Sequence, residues 1–165
     1  MIIRACAEND STPLSEIYND YILNTAVTFE EVPITPAEMA QRVATYSQLY
    51  PWLVCEVEGQ IVGYAYATKW KERSAYKHTC EITVYVRNGF ARRGYGQALY
   101  QSLLQELTAL HCHAVLACIT LPNVASISLH ERVGFVKVAH FTEVGFKFGE
   151  WRDVGYWQKK LGVPT

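Results

Sequence analysis

The segment from Glu81 to Leu110 restricts the fold more than any other part of the chain. From Glu81 to Arg87, polar and apolar side chains alternate with the two-residue period of a β-strand. A basic loop containing Gly94 and Gly96 follows directly. Leucines then recur every four residues, as on one face of a helix: Leu99, Leu103 and Leu107. A strand that leads through a loop into a helix is typical of α/β proteins.

The remaining elements surround this segment without an internal repeat or a linker. Before this segment, the sequence predicts a strand at 2–6 and a helix that is capped by Thr12 and has Pro13 at its first position. A second helix runs from the Thr35–Glu38 capping box to Pro51. Strands Trp52–Glu58 and Ile61–Thr68 follow and turn at Gly59. The elements after the segment are a buried strand at Ala114–Ile119, a short helix from Asn123 through Val133 closed by Gly134, and strands at 136–148 and 151–161. The order predicts one α/β domain, residues 1–165, with a mixed sheet.

Composition is that of an ordinary globular protein and gives no sign of a nucleic-acid or membrane partner. The formal net charge of −1 implies no general attraction to nucleic acid or to anionic membranes. No apolar run approaches the roughly 20 residues of a membrane span, and the first residues do not resemble a secretory signal. The five cysteines lack CxxC spacing, which indicates reduced thiols and a cytoplasmic protein. Adjacent side chains in His111-Cys112-His113 point apart, so we expect no metal site.

The basic loop has the composition of an anion site. Gly94 and Gly96 allow close approach to backbone N–H groups, and Arg92 and Arg93 add positive charge beside a helix N-terminus. A phosphorylated ligand is therefore one interpretation, and a turn with solvated arginines is the other. The spacing matches neither a Walker loop nor the Rossmann glycine motif.

The strand before the loop carries a candidate base. Glu81 and Tyr85 share one strand face, about 13 Å apart at ~3.3 Å per residue. A carboxylate in this position could accept a proton from an amine, although an exposed strand glutamate would fit the same pattern.

The loop resembles the pyrophosphate-binding motif of the GNAT acetyltransferases, Gln/Arg-x-x-Gly-x-Gly/Ala, with Ala91 at its first position. Most of the chain resembles one branch of that family, the phosphinothricin and methionine sulfone or sulfoximine N-acetyltransferases. The segments that carry the resemblance to this branch are Thr28–Glu30, Tyr50–Val54, Lys71–Tyr76, Glu81–Val86, Leu121–Asn123, Leu129–Glu131 and Trp151–Gln158. The stretch from Leu121–Ser126 through His130–Phe135 resembles the second coenzyme A segment of the GNAT family.

The resemblance implies a mostly antiparallel twisted sheet flanked by helices. It also implies direct acetyl transfer, within a ternary complex, from acetyl-CoA to the α-amine of a small amino-acid-like substrate, by a homodimer. The coenzyme A residues that it implies are Tyr85, Val86, Ala91, Arg92, Arg93, Gly94, Tyr95, Gly96, Gln97, Asn123 and Ser126. Asn123 is explained equally well as a helix cap.

The resemblance also assigns roles on the acceptor side. Glu81 becomes the catalytic base, and His130 a second proton-handling or substrate-orienting group, although His130 could also be a helix-surface residue. Around the acceptor the implied residues are Phe29, Lys71, Arg73, Tyr76, Glu81, Tyr85 and Val154. Of these, Lys71 and Arg73 could equally be ordinary surface charges.

Three other functions stay open at this stage. A protein N-terminal acetyltransferase would share the chemistry but prefer peptides. A non-catalytic acyl-CoA-binding module would share the loop but would not need Glu81 or His130. A thiol or metal protein built on the cysteines is the third alternative.

Overall fold

A computed structural model describes residues 1–162 of the chain. Its helices are α1 (Ser11–Asn24), α2 (Pro36–Tyr46), α3 (Tyr95–Ala109) and α4 (Val124–Arg132). Its strands are β1 (Ile2–Ala5), β2 (Trp52–Val57), β3 (Gln60–Lys69), β4 (Thr79–Val86), β5 (Ala114–Leu121), β6 (Val136–Lys147) and β7 (Glu150–Lys160). Short 3₁₀ turns occur at Glu8–Asp10 and Ser74–Tyr76.

The strands form one seven-stranded sheet in the order β1-β2-β3-β4-β5-β7-β6. Neighbouring strands are antiparallel except for β4 and β5, which run parallel. The predicted fold class, a mixed and mostly antiparallel sheet flanked by helices, is therefore confirmed.

The parallel pair β4 and β5 is joined at one end only. Paired residues run from Thr79 opposite Ala114 to Glu81 opposite Leu116, and pairing stops there. Beyond that point β4 continues beside β3 as far as Val86, while β5 continues beside β7. The sheet therefore divides between residues 82–86 and 117–121, and this gap positions the site.

Helices cover both faces of the sheet and bury two apolar clusters. On one face, α1 and α2 pack against the central strands, with Leu14, Met39 and Tyr64 in the cluster. On the other face, α3 contributes Leu99, Leu103 and Leu107 to the larger cluster. The alternation predicted for β4 is confirmed, because Ile82 belongs to the α3 cluster and Tyr85 to the α1 cluster.

Two predicted helix boundaries are wrong. Asp10, and not Thr12, precedes α1, because the 3₁₀ turn continues directly into the helix and makes Pro13 its third residue. Helix α2 ends at Tyr46, well before Pro51, because the N–H groups of Leu49 and Tyr50 fold back onto the Tyr46 carbonyl.

The other predicted turn and cap signals are confirmed. Thr35 and Glu38 form the capping box of α2, and Asn123 caps α4. Glu58 and Gly59 both have positive φ, at 51° and 78°, as the tight turn between β2 and β3 requires.

Two kinds of feature are absent from residues 1–162. No helix there is long and apolar enough to cross a membrane. In the same part of the chain, no three or more histidine, cysteine, aspartate and glutamate side chains are grouped as metal ligands would be.

Candidate active site

The gap between β4 and β5 holds a cavity of about 50 Å³. Both strands, α3, α4 and the segment between α1 and α2 contribute to its wall: Val27, Ile82, Thr83, Val84, Tyr85, Tyr100, Cys118, Ile119, Thr120, Asn123, Ser126 and His130. Four of the predicted site residues therefore meet here, namely Tyr85, Asn123, Ser126 and His130. A cavity of this volume accommodates a small acyl group rather than a whole amino acid.

His130 is a buried member of the cavity wall, with 3% of its surface exposed, so it is not a helix-surface residue. Its Nδ1 lies 2.7 Å from the carbonyl oxygen of Ser126, and its Nε2 lies 2.9 Å from the Tyr100 hydroxyl. A carbonyl can only accept, so Nδ1 carries the proton and the neutral ring accepts the Tyr100 hydrogen at Nε2. Burial lowers the pKa of His130 and so maintains this neutral form.

Tyr100 is a functional candidate that the sequence did not reveal. It follows Leu99 in α3 and has the pattern of an ordinary core residue, with 1% of its surface exposed. Burial raises the pKa of its hydroxyl well above the usual value, and the nearby charge of Glu81 raises it further. The phenol therefore stays protonated and acts as a hydrogen-bond donor to His130.

Glu81 lies where the two strands part, as the last residue of β4 that pairs with β5. It is half-buried on the α1 face, the face it shares with Thr83 and Tyr85. Burial raises the pKa of its carboxyl group, and the positive charge of Lys71 opposes that shift. Within residues 1–162 no basic side chain forms an ion pair with Glu81. A poorly solvated carboxylate holds a proton more readily, as a general base requires.

The N-terminus of α3 presents unpaired backbone N–H groups. The first helical hydrogen bond joins the Ala98 N–H to the Gly94 carbonyl at 3.0 Å. The preceding amides, of Tyr95, Gly96 and Gln97, have no acceptor within the helix, and no side chain in residues 1–162 caps it. These amides and the helix dipole together favour an anion.

The residues of the basic loop before α3 contribute to an anion site in different ways. Gly94 has a φ of 82°, a left-handed conformation that favours glycine, and Arg92 shares it at 62°. Gly96 instead allows close packing, because a Cβ there would lie 3.2 Å from the Leu129 side chain. Ala91 is exposed, as are Arg92 and Arg93, and the Arg93 guanidinium lies 5.1 Å from the Phe90 ring centre.

Alternate backbone amides of β4 face the gap. Arg87 donates its N–H to Val62 in β3. Because N–H directions alternate along a strand, Tyr85 also donates toward β3 while the Val86 N–H points to the gap. Of the two implied coenzyme A residues on this strand, Tyr85 and Val86, the geometry therefore favours Val86 as a backbone donor into the gap. The Val86 carbonyl accepts the Tyr21 hydroxyl at 2.6 Å.

The predicted acceptor residues outside the cavity lie in two places. Lys71, Arg73 and Tyr76 are exposed on the segment before β4, with the Lys71 ammonium 4.8 Å from the Trp70 ring centre. Val154 is buried in β7, opposite Thr120 of the cavity wall, and the ring of Phe29 lies against Gly145 of β6.

A sheet split between two parallel strands, with a helix N-terminus that favours an anion after the first of them, is typical of coenzyme A-dependent acyltransferases. Residues 3–155 match the family model described as an acetyltransferase (GNAT) domain. The chain belongs to the GNAT acetyltransferase family and is an acetyltransferase.

Curated relatives match nearly the whole chain. The phosphinothricin N-acetyltransferase of Streptomyces viridochromogenes is 41% identical over 99% of this chain and 89% of its own length. The L-methionine sulfoximine/L-methionine sulfone acetyltransferase of Salmonella typhimurium is 34% identical over 98% of this chain and 95% of its own.

Solved structures show the same fold. An acetyltransferase of Salmonella typhimurium, solved with acetyl-CoA, has a TM-score of 0.96 at 32% identity, covering 100% of this chain and 96% of that one. A ribosomal-protein-alanine N-acetyltransferase of Brucella melitensis has a TM-score of 0.94 at 34% identity, covering 97% and 99%.

Proposed function

We propose that this enzyme transfers the acetyl group of acetyl-CoA to the α-amine of a small amino-acid-like substrate such as phosphinothricin, methionine sulfone or methionine sulfoximine. The observation that carries the proposal is the place of Glu81, a half-buried carboxylate at the point where β4 and β5 separate. The names of the Streptomyces and Salmonella relatives support this substrate class.

The residues on the coenzyme side fit acetyl-CoA. The free amides of Tyr95, Gly96 and Gln97, with Arg92 and Arg93 beside them, suit a diphosphate. Asn123 and Ser126 line the cavity beyond, and the Val86 N–H points to where a thioester carbonyl would need a donor. When bound, acetyl-CoA supplies an activated acyl group, and the protein holds and orients it.

Glu81 prepares the amine for attack. A free α-amine has a pKa near 8, so much of it is protonated at neutral pH and cannot attack a carbonyl. The Glu81 carboxylate accepts that proton, directly or through one water. Lys71 and Arg73, which precede Glu81 in the chain, attract the substrate's acidic groups, and Phe29 and Val154 pack its side chain.

The transfer is direct, without an acyl-cysteine intermediate. Cys118 is the cysteine in the cavity wall. Cys118 is exposed, but partial desolvation of its sulfur raises the pKa of the thiol, so the nucleophilic thiolate is disfavoured at neutral pH. Direct attack by the amine on the thioester is the simpler route.

Replacing Arg92 and Arg93 together with alanine is expected to weaken acetyl-CoA binding roughly 10-fold, because two charges beside the diphosphate are lost from an exposed site. Calorimetric titration of acetyl-CoA at low and high salt measures this. The loss should shrink at high salt, because added ions screen exposed charges. Arg132→Ala, at the exposed end of α4, is the matched control. Equal affinity of the double variant and the wild type would contradict the phosphate assignment.

A panel of free amines with acetyl-CoA, followed by thiol release, tests the substrate class. We expect turnover of phosphinothricin or methionine sulfone, and Arg73→Ala should raise the KM for that acceptor about 10-fold, by loss of a charged hydrogen bond. Lys77→Ala, on the same exposed segment, is the control. The absence of thiol release with every amine would contradict the proposal.

A protein N-terminal acetyltransferase is the second candidate, because the Brucella neighbour bears the name of an enzyme that modifies a ribosomal protein. The same panel separates the two by including a short peptide with an N-terminal alanine. Preference for the peptide, with little effect of Arg73→Ala, would favour this candidate.

We also propose a cytoplasmic homodimer without a bound metal. All five cysteines are free in the part of the chain described, which fits a reducing compartment. The edge strand β6 exposes several large apolar side chains that a second copy could cover: Val136, Val138, Phe141, Val144 and Phe146.

A further inference from the structure

Lys147, the last residue of β6, is almost completely buried, with 1% of its surface exposed. Its ammonium donates to three backbone carbonyls, those of Ile22 at 2.8 Å, Thr28 at 2.9 Å and Glu30 at 2.9 Å. A lysine ammonium has three donors, so every one is used. All three acceptors lie at the end of α1 or in residues 25–35, which we call the α1–α2 loop.

The α1–α2 loop borders the cavity through Val27 and carries Phe29, one of the predicted acceptor residues. Val27 lines the cavity next to Thr83 and Tyr85, on the sheet face that also carries Glu81. Phe29 lies between Thr28 and Glu30, the two loop residues whose carbonyls Lys147 holds. The lysine therefore fixes the backbone on both sides of Phe29.

Gly145 provides the surface on which Phe29 rests. A Cβ at position 145 would lie 2.2 Å from the Phe29 ring, so the ring is in direct contact with the β6 backbone. Because Gly145 and Lys147 are two residues apart in one strand, both point to the same face. Strand β6 thus holds the loop by a packing contact and by three hydrogen bonds.

A separate contact anchors the loop from the other side. The Glu30 carboxylate accepts two hydrogen bonds from Arg42 of α2, each 2.7 Å long, and a further one from Tyr18. Loss of the Lys147 bonds would therefore loosen the part of the loop near Phe29 while Glu30 stays attached to α2.

We propose that Lys147 is a positioning residue for acceptor recognition, which clamps the α1–α2 loop so that Val27 and Phe29 form one wall of the acceptor pocket. This inference rests on the proposed function, because it specifies what shapes the pocket for the amino-acid substrate. Lys147 touches neither reacting group, and acts through the loop.

Lys147→Met tests the clamp, because methionine has a similar length and no donor. We expect the acceptor KM to rise about 10-fold through loss of a preformed pocket, with the acetyl-CoA KM changed less than about twofold. Hydrogen exchange should become faster in residues 25–34. Lys159→Met is the matched control, since its ammonium also donates to a backbone carbonyl, that of Val133, far from the loop in sequence.

Gly145→Ala provides a second, independent test, because it keeps Lys147 and displaces Phe29. Like Lys147→Met, it should raise the acceptor KM. If Lys147→Met does not fold, Gly145→Ala still tests whether the position of Phe29 shapes the acceptor pocket. An unchanged acceptor KM in the folded variants, or a parallel rise in both KM values, would overturn the proposal. A wild-type enzyme that acetylates no amino acid would instead contradict the proposed function, and hydrogen exchange would still test the clamp.

Discussion

Glu81→Gln is expected to reduce kcat/KM for the amino-acid acceptor by roughly 10²–10⁴-fold, the usual contribution of a general base. Glutamine keeps the size of the side chain but cannot take a proton from the ammonium form of the substrate. Acetyl-CoA affinity should be unchanged, because the contacts proposed for the diphosphate lie at the other end of β4, around residues 92–97. Steady-state thiol release and calorimetry measure the two quantities.

The pH dependence identifies the base. The carboxylate must be deprotonated to act, so activity should fall as pH drops through the pKa of Glu81. Burial raises that pKa, so the fall should occur above the ordinary glutamate value of 4.5. In Glu81→Gln this limb of the profile should disappear, leaving a low rate that depends on the free amine alone.

The same substitution should increase stability at neutral pH. The folded state holds the Glu81 proton more tightly than the unfolded state, so its stabilising effect is present at low pH and is lost as pH rises through the raised pKa. Because glutamine carries no charge, Glu81→Gln should melt at a higher temperature than the wild type at pH values above the raised pKa of Glu81. Glu72→Gln, an exposed residue paired with Lys69, is the control for both effects. Wild-type turnover in Glu81→Gln would contradict the assignment.

Local sequence patterns predicted most elements and the face that Glu81 occupies. Alternation in residues 81–87 depends only on strand geometry, and the caps at Thr35 and Asn123 depend on bonds between residues three apart in sequence. The pattern could not show where pairing between β4 and β5 ends, because that depends on which partner each strand follows beyond Glu81 and Leu116.

Contacts between distant residues explain what the sequence did not reveal. Tyr100 and His130 are 30 residues apart, and their bond requires the fold to bring α3 and α4 within side-chain reach of each other. Lys147 and Thr28 are 119 residues apart, and a lysine at a strand end is usually a solvated charge. The roles of Gly96 and Gly145 likewise follow from the side chains that pack on them.

The Tyr100–His130 pair should act as one unit in catalysis. The Tyr100 hydroxyl donates to a ring that is itself fixed by the Ser126 carbonyl, so each residue orients the other beside the acyl cavity. His130→Ala should lower kcat about 10²-fold, because a small misplacement of the reacting groups has a cost of this order, and Tyr100→Phe about 10-fold. The double variant should be no worse than His130→Ala, because both changes remove the same interaction. His113→Ala, an exposed histidine, is the control.

The protonation state of the His130 ring distinguishes an orienting role from the role of a general base. Because burial lowers the pKa of His130 below its ordinary value, its ring should be mostly neutral at neutral pH and above. Proton-detected NMR of the imidazole measures this directly. The acid limb of the pH–rate profile should persist in both His130→Ala and Tyr100→Phe, since Glu81 produces it. Loss of that limb in His130→Ala, with its retention in Glu81→Gln, would instead make His130 the base that deprotonates the amine.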